Sequence, residues 1–310
     1  MKIENPFHAG ELEAQRLAGE STIAERNSAV IADSIIGGAL PFLRQQKMVV
    51  LGTEGEGGQK WATPLFGTAG FVNPDSAQLL RFHRDQILSM DQDELWTQLY
   101  DGARVGMLAI ELSTRRRLRV NGTVAARTDT EFVLAVKEAY PNCPKYIQRR
   151  VLTWNDGPAA GSNARASVGT ALSPEAVSIL ESTDTAFLAS GHPERGLDVS
   201  HRGGNPGFLT MVGANRFRVP DYPGNSLFNT FGNLLVDPQA GVTAVDFAQG
   251  RMLQMTGRAE IQWNQPDEAG LTAGTGRMWT FDVEHWRILP LPGTAQWEFL
   301  DASPFNPGRK

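Results

Sequence analysis

The sequence predicts a mainly β chain with a few helices, arranged as two tandem small barrels that pack as a pair within one chain. Three observations point there. The sequence repeats itself at a spacing close to half its length, and each copy consists of short Val-, Ile-, Phe- and Leu-rich runs between Gly, Pro, Asn and Asp clusters. Helical periodicity is confined to a few segments, which favours barrels over layered α/β architectures.

The repeat is seen by laying the chain on itself. Leu51 in Lys47–Gly52 falls on Leu188 in Asp184–Ala189 at an offset of 137, and Gly70-Phe71 falls on Gly207-Phe208 at the same offset. Gly106–Leu112 then matches Gly241–Phe247, and Gly122 matches Gly257, both at 135. One two-residue deletion accounts for the change. Two copies of this size mean a duplicated domain, because solenoid repeats run roughly 20 to 50 residues.

Taken in order, residues 9–35 read as helical, with Glu11, Leu12, Ala14, Leu17 and Ala18 at helical spacing. Strands are expected at 48–51, 107–112 and 117–124, with a helix at 91–102 between the first two. Asn155–Asn163 is small, turn-prone and without apolar period, so it reads as a linker. A helix at 174–182 follows the Ser173-Pro174 start, and strands are expected at 185–189, 242–247 and 252–259. Leu118 and Val120 alternate with Arg117, Arg119 and Asn121, as Leu253 and Met255 do with Gln254 and Thr256. Each such strand should have one face in a core and the other toward solvent or a ligand. The predicted units are an N-terminal helical segment 1–35, a first barrel 36–155, a linker 156–172 and a second barrel 173–310.

Composition excludes several classes. With 29 Lys+Arg against 34 Asp+Glu the net charge is −5, which offers no basic field for nucleic acid. The most apolar early stretch, Ala29–Leu43, is broken by Asp33, Gly37, Gly38 and Pro41, far short of the ~20 residues of a membrane span. The start of the chain lacks the apolar region of a secretory signal. A lone Cys143 permits no intrachain disulfide, fits a reducing cytoplasm and, without a paired base, reads as structural. His8, His83, His192, His201 and His285 fall at no metal-ligand spacing, so no metal is expected.

Candidate binding residues concentrate in four segments. Ser200-His201-Arg202-Gly203-Gly204 places an arginine beside glycines that would let backbone N–H groups approach an anion, although a tight turn with a solvated arginine has the same residues. Pro220-Asp221-Tyr222-Pro223-Gly224-Asn225, followed by Asn229, supplies amide groups suited to the edge of a heteroaromatic ring, although a loop with a helix N-cap at Asn225 or Ser226 would use the same residues. Four arginines lie within Arg115–Arg119, and Arg117 and Arg119 share a strand face, where they repel unless an anion lies opposite. Lys145 and Arg149 form a second basic segment that, with Arg117, would close over a phosphate. Gln254 faces the polar side of its strand.

These motifs resemble the pyridoxamine 5′-phosphate oxidase-related FMN-binding proteins. The resemblance lies in Arg116–Gly122, Asn142–Arg150, Asp198–Gly204, Pro220–Asn225 and the Phe7–Leu12 start, and runs from about residue 7 to Pro307. It implies two FMN-binding split β-barrels packed as an intrachain pseudo-dimer, with FMN held where they meet and Arg202 on the phosphate side. The sequence departs from the true oxidases at Gly224-Asn225-Ser226, where they carry Ser-Arg-Lys, and Trp286–Pro290 only loosely echoes their substrate-gripping segment. The expected function is therefore an FMN-dependent oxidoreductase acting on an unidentified small substrate, with a reductase- or ferredoxin-type electron donor, as a monomer or homodimer. Pyridoxamine phosphate is the lesser reading of its substrate. The alternatives are a non-catalytic FMN carrier, or a haem protein with His201 as axial ligand.

Overall fold

The computed structural model describes residues 3, 6–88, 93–155 and 166–308. Its first half forms seven strands: β1 (Met48–Glu54), β2 (Lys60–Phe66), β3 (Val72–Pro74), β4 (Leu79–His83), β5 (Arg104–Glu111), β6 (Arg116–Arg127) and β7 (Glu131–Pro141). They lie antiparallel in the order β2-β1-β5-β6-β7-β4-β3. Two short strands follow, β8 (Arg149–Trp154) and β9 (Ser167–Gly169). The second half repeats the plan with β10 (Thr185–His192), β11 (Gly196–Gly203), β12 (Thr210–Gly213), β13 (Arg216–Pro220), β14 (Gln239–Asp246), β15 (Arg251–Gln262) and β16 (Met278–Pro290), and β17 (Ala295–Asp301) ends the series. The second sheet runs β11-β10-β14-β15-β16-β13-β12, the same path as the first.

The duplication holds at the level of single pairs. Val49 faces Ala109 and, at the same offsets, Ala186 faces Ala244; Glu111 faces Arg116 as Asp246 faces Arg251. Both long strands carry a bulge at the matched glycine, Gly122 and Gly257. A Cβ there would lie 2.1 Å from the Ala135 carbonyl oxygen or 2.0 Å from that of Asp282, so only glycine fits the kink. The chain is thus two tandem split β-barrels, mainly β with few helices, packed on each other within one chain.

Three buried clusters explain the packing. Val49, Leu51, Leu118 and Val120 fill the first barrel, and Leu188, Val242, Leu253 and Met255 the second. Met48, Val50, Leu108, Phe187, Val199, Val245 and Met252 come from both halves and form a core between the barrels. An uninterrupted apolar run such as Met48–Leu51 is therefore a strand buried on both faces. The polar faces of β6 and β15 also turn into this interface, where Arg119, Asn121, Gln254 and Thr256 are all buried. Solvent, one of the two environments expected for those faces, is excluded. Gly106 and Gly241 allow the close approach: an added Cβ would sit 2.7 Å from the Asp198 backbone in one case and 2.4 Å from the Lys60 carbonyl oxygen in the other.

Helices are few, as expected, but their bounds differ. The 9–35 segment divides into α1 (Ala9–Ala18) and α2 (Ser21–Asn27), followed by a 3-10 turn at Ser28–Val30. Gly19, left-handed at φ 70, ends α1 by turning its N–H back to the Arg16 carbonyl. After α3 (Leu40–Arg44), the predicted 91–102 helix is α4 (Asp93–Gln98), with 91 and 92 outside the described residues. The segment α5 (Pro174–Ser182) is capped by the Ser173 hydroxyl, which accepts from the Ala176 N–H. The alternative of a helix following the 220–226 loop is realised in α6 (Asn229–Val236), which starts after Phe228 rather than at a cap on Asn225 or Ser226. It meets α1 at Gly10 and Gly232, where a Cβ on Gly10 would lie 2.3 Å from the Gly232 carbonyl oxygen.

The predicted domain bounds need two corrections. β8, placed in the first barrel, pairs with β17 from the end of the second, so a two-stranded sheet ties the halves together. β9 lies in the expected linker but pairs with β16. Positions 156–165 of that linker are outside the described residues.

Candidate functional site

A cleft of about 960 Å³, its open mouth included, lies where the barrels meet. It gathers Arg117, Arg119, Lys145, Ser200, His201, Arg202, Gly203, Pro220, Asp221, Tyr222, Gly224, Asn225 and Asn229 from among the sequence candidates. β6 and the loop after β7 bring the first-half members, while β11, the loop after β13 and the start of α6 bring the rest.

Arg117 differs from the other arginines of the cleft in its partners. Its Nε donates to the Cys143 carbonyl at 2.7 Å, and it has no carboxylate partner among the described residues. Burial, with Arg119 and Arg202 nearby, pushes its pKa down to about 9. Arginine does not deprotonate in proteins, so this cost appears as a demand for a counter-anion in the cleft.

Arg202 is differently placed. Its Nη1 donates to Asp221 at 2.7 Å, while its buried Nε has no partner among the described residues. Asp221 also takes Arg277 Nε at 2.9 Å, and Arg277 reaches Glu20 at 2.7 Å. This ion chain fastens the 220–226 loop to the α1–α2 turn. Arg119 pairs with Asp198 at 2.7 Å and donates to Tyr140 Oη at 2.8 Å and Asn229 Oδ1 at 2.6 Å. Lys145 makes no ion pair among the described residues, its Nζ lying 5.3 Å from the Phe305 ring centroid.

His201 is buried, and neither ring nitrogen has a partner among the described residues. Burial first, then Arg117 and Arg202, hold its pKa well below the ordinary value, so it is neutral and offers one donor and one acceptor. Tyr146 and Tyr222 meet at the cleft with ring centroids 4.8 Å apart and planes tilted by 39°. Tyr146, Ser226 and Phe228 hold φ near +60°, costly for side-chain-bearing residues and typical of functional loops.

The two glycines of the 200–204 segment serve packing. A Cβ on Gly203 would lie 2.1 Å from the Tyr146 carbonyl oxygen, and one on Gly204 would meet Phe208 at 2.8 Å. Gly204 stands outside the cleft, its N–H donating to the Asp184 carbonyl. Arg149 is also outside, bonded to the Ser113 carbonyl and Asp301 between β8 and β17. Gln254 lies in the interface, accepting from Arg287 at 2.6 Å and donating to the Ala62 carbonyl at 3.3 Å.

Gln254 shows what became of the duplicate site. Through the repeat it occupies the position of Arg119, and its bond to the Ala62 carbonyl mirrors that of Arg119 to the Val199 carbonyl. By the same offsets Met252 stands for Arg117, Pro64 for His201 and Leu65 for Arg202. Met252 and Leu65 are core residues, so the second copy keeps none of the three side chains.

Glu20 and Arg277 were not among the sequence candidates. Their pairing bridges more than 250 positions, and no local pattern announces it. Behind the cleft, Asn229 donates to Glu11 at 2.6 Å, and Glu11 accepts the His8 N–H at 2.9 Å. Burial raises Glu11 to about 8 and Glu138 to about 7, and lowers His8 to about 4.

These shifts set a pH dependence for the ligand-free protein. The carboxyls keep protons that the unfolded chain releases near 4.5, so their contribution is greatest below that pH and is lost as pH rises through 7 and 8. His8 and His201 act oppositely, losing stability as pH falls below 6.5. Above about 6.5 only the carboxyls remain, and the melting temperature is expected to decline toward pH 8. Glu11→Gln should flatten that decline in differential scanning calorimetry; an unchanged slope would remove Glu11 from this role.

The chain matches no family model and no curated protein. Solved structures of single-barrel size are similar at low scores. One is a Clostridium acetobutylicum protein related to general stress protein 26, of the pyridoxinephosphate oxidase family (11% identity, 41% of this chain, 92% of that chain, TM-score 0.30). Another is a FAD-binding protein from Mesorhizobium loti (16%, 40%, 98%, 0.27), and a third is HupZ of Group A Streptococcus (15%, 36%, 89%, 0.27).

Proposed function

We propose that the cleft binds one FMN per chain and that the protein is an FMN-dependent oxidoreductase, passing electrons from a reductase- or ferredoxin-type donor to a small substrate. The observation that carries this reading is Arg117, a cation at the barrel interface with no carboxylate partner among the described residues. The Nε of Arg202 and both nitrogens of His201, without partners among the described residues, fit the same occupant: an anionic group with a polar ring edge. Arg117, Arg202 and Lys145 would hold the phosphate, while Ser200, Asn225 and Asn229 offer hydroxyl and amide groups to the ring or ribityl chain. The flavin, when bound, supplies the hydride and electron chemistry. The residues of this chain position it and exclude water. No helix among the described residues is long and apolar enough to cross a membrane.

The partnerless nitrogens of His201 also suit an iron ligand, which keeps a haem reading alive. An absorption spectrum of the protein titrated with each group separates them. We expect FMN fluorescence to be quenched to an end point of one equivalent, because the duplicate positions hold Met252, Gln254, Pro64 and Leu65. Two equivalents would contradict loss of the second site. A sharp Soret band with no flavin quenching would overturn the flavin reading, and quenching without donor-driven reduction would leave a carrier.

A further inference from the structure

A second pocket of about 1000 Å³, open side included, adjoins the cleft through a shared wall of Phe208, Pro220 and Tyr222. Its other surfaces carry Ala269, Leu271, Met278 and Pro307 among glycines, and the polar Asn205 and Thr210 there are already bonded within the chain, to Pro307 and Asn306 and to Gly207. Arg218 is the one charged side chain among the described residues that line it.

Arg218 lies on β13 between Thr210 of β12 and Thr280 of β16. Two residues earlier, Arg216 is neutralised by Glu260 at 2.5 Å and Asp282 at 3.6 Å. Arg218, half-buried, has no ion pair or hydrogen-bond acceptor among the described residues. Asp267, in the loop leading to the pocket, is already engaged by the Thr272 hydroxyl at 2.6 Å and the Thr272 and Gly274 N–H groups at 2.9 Å. A guanidinium fork framed by apolar walls and lacking a carboxylate matches a carboxylate on an apolar body, which it can grip through two parallel hydrogen bonds. An inorganic anion would leave the apolar walls unused, and a neutral apolar molecule would leave the charge unmet.

We propose that this pocket binds a small organic acid with an apolar body, its carboxylate on Arg218 and its body against the wall shared with the cleft. That this acid is the substrate of the cleft rests on the flavin reading; its binding does not.

The test uses the full chain, with 2-naphthoate as the acid and 2-naphthalenemethanol as its neutral counterpart, each followed by isothermal titration with and without saturating FMN. Naphthoate is expected to bind, and Arg218→Met to weaken it roughly tenfold or more while leaving the alcohol unaffected. FMN affinity, read separately from flavin fluorescence, should be unchanged in that variant. Absence of saturable naphthoate binding, equal affinity in the variant, or displacement of naphthoate by FMN would overturn the pocket and leave the flavin reading standing. Arg218-dependent naphthoate binding in a protein that takes no FMN would do the reverse.

Discussion

Arg117→Met is expected to weaken FMN binding by about 1.5 to 3 kcal/mol, a tenfold to more than hundredfold rise in Kd. The ligand-free variant should nevertheless melt at or above the wild-type temperature. Arg117 has no carboxylate partner among the described residues, and exchanging such a cation at this interface for an apolar side chain of similar length relieves desolvation. Arg202→Ala should behave differently, lowering the melting temperature because Asp221 loses one of its two arginines. The sequence suggests Arg202 as the leading phosphate cation, but in the fold that charge is already shared with Asp221. Flavin fluorescence titration and calorimetry on both variants check the ranking; an Arg117 variant that binds FMN normally would remove the anion site.

The second large effect is on the interface. Gly241→Ala and Gly106→Ala should each destabilise the protein by about 3 kcal/mol or more, the upper end of overpacking penalties. The atoms in the way are backbone: the Lys60 carbonyl for Gly241, and the Asp198 N and Cα for Gly106. Neither can rotate aside as a side chain would. Ligand binding should fall as well at Gly106, since Asp198 holds Arg119. Gly38→Ala, where an added Cβ meets nothing within 4 Å, serves as the control and should change stability by less than about 0.5 kcal/mol. Urea unfolding of the three variants decides; wild-type midpoints for Gly106→Ala and Gly241→Ala would show the interface to be looser than the contacts require.

Part of the fold is legible in the sequence because duplication prints β1, β5 and β6 a second time as β10, β14 and β15. The offsets of 137 and 135 map the register of β1 on β5 onto that of β10 on β14 pair by pair, although neither register could be read from the sequence itself. α6 is only one of two readings of its segment because Asn229-Thr230-Phe231-Gly232-Asn233 has the composition of a loop, and its glycine reflects the contact with α1. The cleft residues on β6 and β11 could be found because four arginines crowd Arg115–Arg119 and Arg202 stands beside two glycines. Arg149 and Gln254 show the limit of that reasoning. Both are polar side chains on strands, and only the pairing of β8 with β17 and the repeat of Arg119 by Gln254 reveal their other partners.

The pairing of β8 with β17 also sets a schedule for synthesis. The strands of the first sheet are complete at Pro141, but β8 emerges next and its partner lies about 140 residues further on. At roughly 5 to 20 residues per second the nascent chain carries that unpaired edge for roughly 7 to 30 s. Such an edge invites strand addition by a neighbouring chain on the same message. Arg149 and Arg150, at the front of β8, place two like charges on it, so copies approaching edge to edge repel until Asp301 and Asp184 arrive to take those cations.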